Sequence, residues 1–301
     1  MKEALANLAW KCGLYCFNRV VQSGIGSKAL LGAPIANHMY RLAHRLIPAP
    51  SGETRVRLPE GYWLAIPPGH QTARSFASGM YEPETSEALR RLVQHGMAVV
   101  DVGAHIGYHT LLLADLVGPA GRVYALEPDP HHCAWLRRNV VENGFTQVKV
   151  LQIAASNQNG KISFFSDKQS GESRLSIPAR QMVEVSVEAV RLDELFAGFG
   201  WPPVDLVKMD IEGHEASALE GMQELSRRNP HLRLIIEYAS DKMAYAGVTS
   251  QELGQRLLEL GFGTVYVLTD PKRGRPLPHG LERMPPGADL LCVKAGEAAE
   301  A

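Results

Sequence analysis

The segment Met97–Gly107, MAVVDVGAHIG, constrains the fold more than any other part of the chain. An apolar run with no polar alternation reads as a strand buried on both faces. It ends in an acid, Asp101, and then in Gly103 and Gly107. Gly103 lets the chain turn sharply without a Cβ clash, and Gly107 permits close approach of a helix or a ligand. A helix is expected over Tyr108–Val117. The same alternation recurs downstream. Strand GRVYALEPD is followed by a helix over 130–143, strand VKVLQIAAS, a hairpin-rich insertion over about 160–191 and a helix at Leu192–Phe199. Then come strand VDLVKMD, a helix over 214–226, strand LRLIIEY and a helix over 249–260. The last two strands, FGTVYVL and ADLLCVKA, have no helix between them, so the final strand is expected to run antiparallel. The fold class is therefore α/β and Rossmann-like: a mostly parallel, seven-stranded sheet with an antiparallel last strand.

Upstream, TRVRLPEGYWLAIP at 54–67 reads as a hairpin turning at Pro59-Glu60-Gly61. A helix is expected over Thr85–His95, capped at Thr85 or Ser86 and closed by Gly96. Residues 1–50 read as a helical appendage with an apolar face through Leu5, Leu8, Cys12, Cys16 and Val20. Residues 51–301 form the main domain. The appendage carries Lys2, Lys11, Arg19, Lys28, Arg41 and Arg45. It is expected to pack as a cap, with a weak membrane-surface or protein contact, or a substrate lid, as alternatives.

Composition narrows the function. The chain has 301 residues, 45% hydrophobic and 21% charged, enough for a sizeable core. Its 31 basic and 32 acidic residues give a net charge of −1, so no nucleic-acid partner is expected. Four cysteines, Cys12, Cys16, Cys133 and Cys292, match no zinc spacing and suit a reducing cytoplasm. No apolar run is long enough to span a bilayer, and no signal peptide is evident. A cytoplasmic protein is expected.

Two clusters carry chemistry. The first is the turn DxGxxxG at Asp101–Gly107, with Glu127 ending the next strand 24 residues after Gly103. An acid at that place accepts hydrogen bonds from ribose hydroxyls. A dinucleotide site prefers GxGxxG, with a pyrophosphate on the helix N-terminus. Here a glycine is missing and an acid stands in front. That charge suits S-adenosylmethionine (SAM), a phosphate-free cation, better than a nicotinamide dinucleotide. The Tyr81-Glu82-Pro83-Glu84 segment is read as either a turn feeding a helix or a lid over the methionine end of SAM, through Tyr81.

The second cluster is VDLVKMDIEGHE, with Lys208, Asp210 and Glu212 at alternate positions. Strand geometry would place all three on one face, and Glu237 on a neighbouring strand would share the cleft. Three readings stay open: substrate orientation or acid–base work, a structural pair of Lys208 with Asp210 or Glu212, or a divalent metal on hard oxygens. No metal is assigned from the sequence. His105, His109 and His214 stand near these turns as alternative bases, His214 ahead of the others.

The segments SGMYEPET, VVDVGAHIGYHTLLLA, GRVYALEPDP, AASNQNGKISFF and VDLVKMDIEGHEASALEGM together resemble the FkbM family of SAM-dependent methyltransferases. The resemblance covers about Ser78–Phe262. It implies a class I methyltransferase domain, and O-methylation of a sugar, glycan or other small natural product. It implies SAM contacts at Asp101, Gly103, Gly107 and Glu127, a further one at Ala155-Ser156, and active-site positions for Asp210 and Glu212. The family commonly has Asn where this chain has His105, which keeps a hydrogen-bonding group and adds a titrating one. Methylation of an amine or carboxylate, and a SAM-binding regulatory module without turnover, are the competing readings.

Overall fold

The computed structural model describes residues 52–297, except 71, 79–80, 167–172, 175–182, 278–279 and 285–286. The helices expected over 1–50, with Cys12 and Cys16, lie outside the described residues. Two compact units result, the first ending at Tyr81. In it, β1 (Thr54–Arg57) pairs antiparallel with β2 (Trp63–Ile66), Thr54 opposite Ile66 and Arg57 opposite Trp63. This is the expected hairpin. Leu64, Ala65 and Ile66 are fully buried, and α1 (Ala73–Ser78) packs on β1.

The second unit opens with α2 (Pro83–Leu92). The expected cap at Thr85 or Ser86 is corrected. Pro83 takes the first turn, where its missing N–H is no loss, and Glu82 holds the cap position at φ 40°. Thr85 and Ser86 are buried within the helix instead. Thr85 Oγ1 donates to Asp289 Oδ2 at 2.5 Å, and Ser86 Oγ lies 3.3 Å from His109 Nε2. The helix also stops short of His95, at Leu92.

β3 (Ala98–Val102), α3 (Tyr108–Val117), β4 (Arg122–Leu126), α4 (Pro130–Glu142) and β5 (Val148–Leu151) follow, with β3, β4 and β5 paired in parallel. A helix apolar on nearly every side must be covered all round. Accordingly Leu111, Leu112, Leu113, Ala114 and Val117 of α3 are each at most 2% exposed. Truncating such a leucine to alanine costs about 2–5 kcal/mol. α4 starts where Asp129 accepts from the backbone N–H of His131 (2.7 Å) and His132 (3.3 Å).

Next, β6 (Ala154–Ala155), β7 (Gly160–Ser166), β8 (Ser173–Arg174) and β9 (Val183–Val190) form a separate four-stranded sheet in the order β6-β9-β7-β8. The antiparallel pairing of β7 with β9 is the hairpin expected in the insertion. α5 (Leu192–Gly198) and β10 (Leu206–Met209) follow. The single helix expected over 214–226 is two, α6 (Glu215–Glu220) and α7 (Gln223–Arg228). Gly221 breaks it. Its carbonyl accepts from Asp193 N–H at 2.9 Å, and the Asp193 carboxylate takes the Leu225 N–H at 2.8 Å. A Cβ at Gly221 would meet the Ser156 carbonyl oxygen at 2.1 Å.

The chain continues through β11 (Arg233–Tyr238), α8 (Ser240–Tyr245), α9 (Ser250–Glu259), β12 (Phe262–Val267), β13 (Asp270–Pro276) and β14 (Ala288–Lys294). The main sheet runs β13-β12-β14-β11-β10-β3-β4-β5. β14 pairs antiparallel with both β11 and β12, as expected of the last strand. The linker between β12 and β14 adds an eighth strand, β13, at the edge. Its prolines are tolerated because an outer edge needs no N–H donors. No helix among the described residues is long and apolar enough to cross a membrane. Cys133 and Cys292 are buried free thiols.

Candidate active site

The parallel strands β3, β4 and β10 place residues 103–107, Glu127 and Asp210 along one edge of the sheet. The turn after β3 is built for close approach. Gly103 adopts φ 83°, His105 φ 53° and Gly107 φ 102°. A Cβ at Gly107 would come within 2.8 Å of Leu136 Cδ1, so this glycine admits helix α4. The N–H groups of Gly103 and Ala104 both reach the Leu126 carbonyl at 3.0 Å, tying the turn to β4.

Glu127 is buried, and each of its oxygens already accepts a backbone N–H: Oε2 from His105 at 2.8 Å and Oε1 from Asp129 at 2.9 Å. Those bonds fix the carboxylate while leaving a lone pair on each oxygen for a ligand. Burial outweighs them and pushes its pKa up to about 8. The His105 ring packs edge-on against His132 at 4.3 Å between centroids.

Asp101 is fully buried in β3. Oδ2 accepts from Thr110 at 2.6 Å; Oδ1 lies 3.7 Å from Lys208 Nζ and receives no hydrogen bond among the described residues. Lys208 is itself 4% exposed and lies 3.5 Å from Asp210 Oδ2. Burial alone would lower its pKa; Asp210 and Asp101 more than offset that, so Lys208 stays protonated. Lys208 thus joins the cofactor turn to the end of β10.

The expected common face of Lys208, Asp210 and Glu212 is corrected. β10 ends at Met209, so the alternation stops there. Glu212 adopts φ 60° and pairs with Lys242 at 2.5 Å, not with Lys208. Gly213 then packs against α8, where a Cβ would meet the Lys242 backbone at 2.6 Å. Lys242 also lies 3.2 Å from Glu237. Burial, with Asp210 next, raises the Glu237 pKa to about 9; burial raises that of Glu215 to about 7.

The histidines separate clearly. His109 is 4% exposed, between Ser86 and Glu82, which lies 3.7 Å from Nδ1. Burial, then Lys208 and Arg90, hold its pKa well below 6.5, so it is a neutral wall group. His214 is half-buried, its pKa lowered by burial, and it lines a cavity of about 280 Å³ with Asn157, Ser217, Glu220 and Arg256. Ala155 and Ser156 are buried, and Ser156 N–H is tied to the Val190 carbonyl at 2.9 Å. Tyr81 belongs to the first unit, where its ring packs against Phe76 at 4.6 Å.

Four participants escaped the sequence reading. Glu215 lies within the quoted motif, three residues after Glu212, but helix spacing hid its inward aim. Thr110, Lys242 and Asp289 lie on other elements, and nothing in their local sequence marks them.

The residues present fit SAM. Glycines 103 and 107 hold the turn after β3 at positive φ and tight against β10 and α4, a fixed carboxylate ends β4, and acids line the edge where a pyrophosphate would be repelled. Such a sheet and edge define a SAM-dependent methyltransferase. The Methyltransferase FkbM domain matches residues 101–263, and the chain belongs to the FkbM methyltransferase family. It is similar to 2-O-methyltransferase NoeI of Sinorhizobium fredii, 26% identical over 211 residues, covering 63% of this chain and 83% of that protein. Hexuronic acid methyltransferase AglP of Haloferax volcanii is 29% identical over 122 residues, 40% of this chain and 48% of its own length. 31-O-demethyl-FK506 methyltransferase FkbM of Streptomyces tacrolimicus is 27% identical over 176 residues, 48% of this chain and 66% of its own.

Proposed function

We propose that the chain methylates a hydroxyl group on a sugar, a glycan or another small natural product. One observation carries this reading: Asp210, Glu237 and Asp289 gather at the ends of adjacent strands, beside the cofactor turn. Carboxylates accept hydrogen bonds from hydroxyls and repel a carboxylate acceptor. The names of 2-O-methyltransferase NoeI and 31-O-demethyl-FK506 methyltransferase FkbM support an oxygen acceptor, and that of hexuronic acid methyltransferase AglP supports a sugar-like one.

SAM supplies a methyl group on a good leaving group. The protein's own task is to align a hydroxyl and receive its proton as the oxygen–methyl bond forms. Asp210 takes that proton, and Lys208, at 3.5 Å, holds it in place. His214 is the alternative acceptor, since burial keeps it neutral. Glu127 holds the ribose, with Gly103, His105 and Gly107 shaping the turn beneath and Asp101 fixing that turn through Thr110. Ala155 and Ser156 flank the adenosine.

The test is a reaction with methyl-labelled SAM and a panel of neutral sugars, uronic acids and polyols, followed by linkage analysis. A methyl ether is expected. A methyl ester or methylamine product would overturn the hydroxyl assignment. Cofactor binding without turnover on any acceptor would favour the regulatory reading.

A further inference from the structure

We infer that Asp210, Glu215 and Glu237 form a site for one divalent cation of the Mg²⁺ or Mn²⁺ type. The inference deepens the proposed hydroxyl transfer and rests on it. One oxygen from each of the three carboxylates lies within 4.8 Å of the others. They converge from the residue after β10, the first turn of α6 and the C-terminal end of β11.

Glu215 distinguishes this cluster from an ordinary acidic surface. It is fully buried. Its Oε1 accepts from the N–H of Ile211 at 2.9 Å and of Gly213 at 3.3 Å, which locks the side chain in one orientation. Its Oε2 is buried and has no hydrogen-bond partner among the described residues. A carboxylate oxygen in that state is costly, and a fixed one is a ready ligand. Neither nearby lysine pairs with Glu215: Lys242 pairs with Glu212 at 2.5 Å and with Glu237 at 3.2 Å, and Lys208 with Asp210 at 3.5 Å and with Asp101 at 3.7 Å, so each is shared between a member of the cluster and a second acid. The edge therefore gathers Asp101, Asp210, Glu212, Glu215, Glu237 and Asp289 against only these two lysines among the described residues. A divalent cation offsets that excess.

Oxygen ligands alone select a hard ion rather than zinc or copper. Three protein oxygens would leave coordination positions for water or for neighbouring oxygens of the acceptor. The cation would then orient a pair of adjacent hydroxyls, which matches a sugar-like acceptor.

The test uses the full chain, treated with EDTA and desalted. Mn²⁺ alone is titrated in and followed by electron paramagnetic resonance, with S-adenosylhomocysteine binding measured on the same sample. One Mn²⁺ per chain is expected, displaceable by Mg²⁺. Losing even a group that supports a metal ligand costs about 10–100-fold in affinity. Glu215→Gln and the more accessible Glu237→Gln are each expected to weaken Mn²⁺ binding about tenfold or more. Absence of Mn²⁺ binding while S-adenosylhomocysteine still binds overturns the cation site and leaves methyl transfer standing. Mn²⁺ affinity unchanged in both variants places the ion elsewhere and overturns it equally. Loss of binding for both overturns the functional reading as well.

Discussion

A Cβ built on Gly103 would lie 1.9 Å from the carbonyl oxygen of Asp210. The cofactor turn and the end of β10 are therefore in backbone contact, and neither can shift alone. Gly103→Ala adds this clash to a backbone at φ 83°, which an alanine rarely adopts. The variant is expected to lose about 2 kcal/mol or more of stability and to bind S-adenosylhomocysteine poorly. Thermal unfolding and calorimetry check both; a variant indistinguishable from wild type would remove the contact from the account.

Lys208 holds two carboxylates, one of them fully buried. Removing one partner of a buried ion pair leaves an uncompensated charge and costs about 3–5 kcal/mol. Lys208→Met is expected to fall in that range by urea unfolding. Adding Asp101→Asn should recover part of the loss, since it deletes the stranded charge. Additive losses in the double variant would contradict the pairing.

Glu127 and Asp210 separate binding from chemistry. Glu127→Ala should abolish S-adenosylhomocysteine binding by calorimetry; unchanged affinity would refute the ribose assignment. Asp210→Ala should keep most of that affinity and lower turnover about 10²–10⁴-fold, the usual worth of a general base. Full activity would remove Asp210 from the mechanism.

Stability of the ligand-free protein should fall as pH rises from about 6.5 to about 9. Glu127 titrates near 4.5 when unfolded and at about 8 when folded, so the folded state holds the extra proton between those values. That contribution is complete below pH 4.5 and is lost as pH passes the folded value. Glu215, at about 7, and Glu237, at about 9, act in the same direction. His109 acts oppositely and only on the acid side: its lowered pKa means the unfolded chain gains the proton first, below about 6.5. Urea midpoints across this window check the sign, and a rising profile on the alkaline side would contradict it.

The strand–helix order was legible because continuous apolar runs such as Val123–Leu126 and Leu234–Ile236 can be satisfied only between two covering layers. Gly103 and Glu127 were legible for a similar reason: each sits where a strand must end. Other features depend on distant partners. Nothing in the sequence around Thr85 says that its hydroxyl will meet Asp289 rather than cap a helix. Nothing near Lys242 says that it will draw Glu212 away from Lys208. Asp101 was read as a charge facing a ligand, and its complete burial follows from Thr110 and Lys208 closing over it from two other elements.

The position of β14 bears on how the chain is made. It is the last strand in sequence, yet it lies between β11 and β12. During synthesis the hairpin of β12 and β13 emerges before the strand that joins it to the rest of the sheet. One flank of the fold must wait, its edges open to wrong partners, until residues 288–294 leave the ribosome.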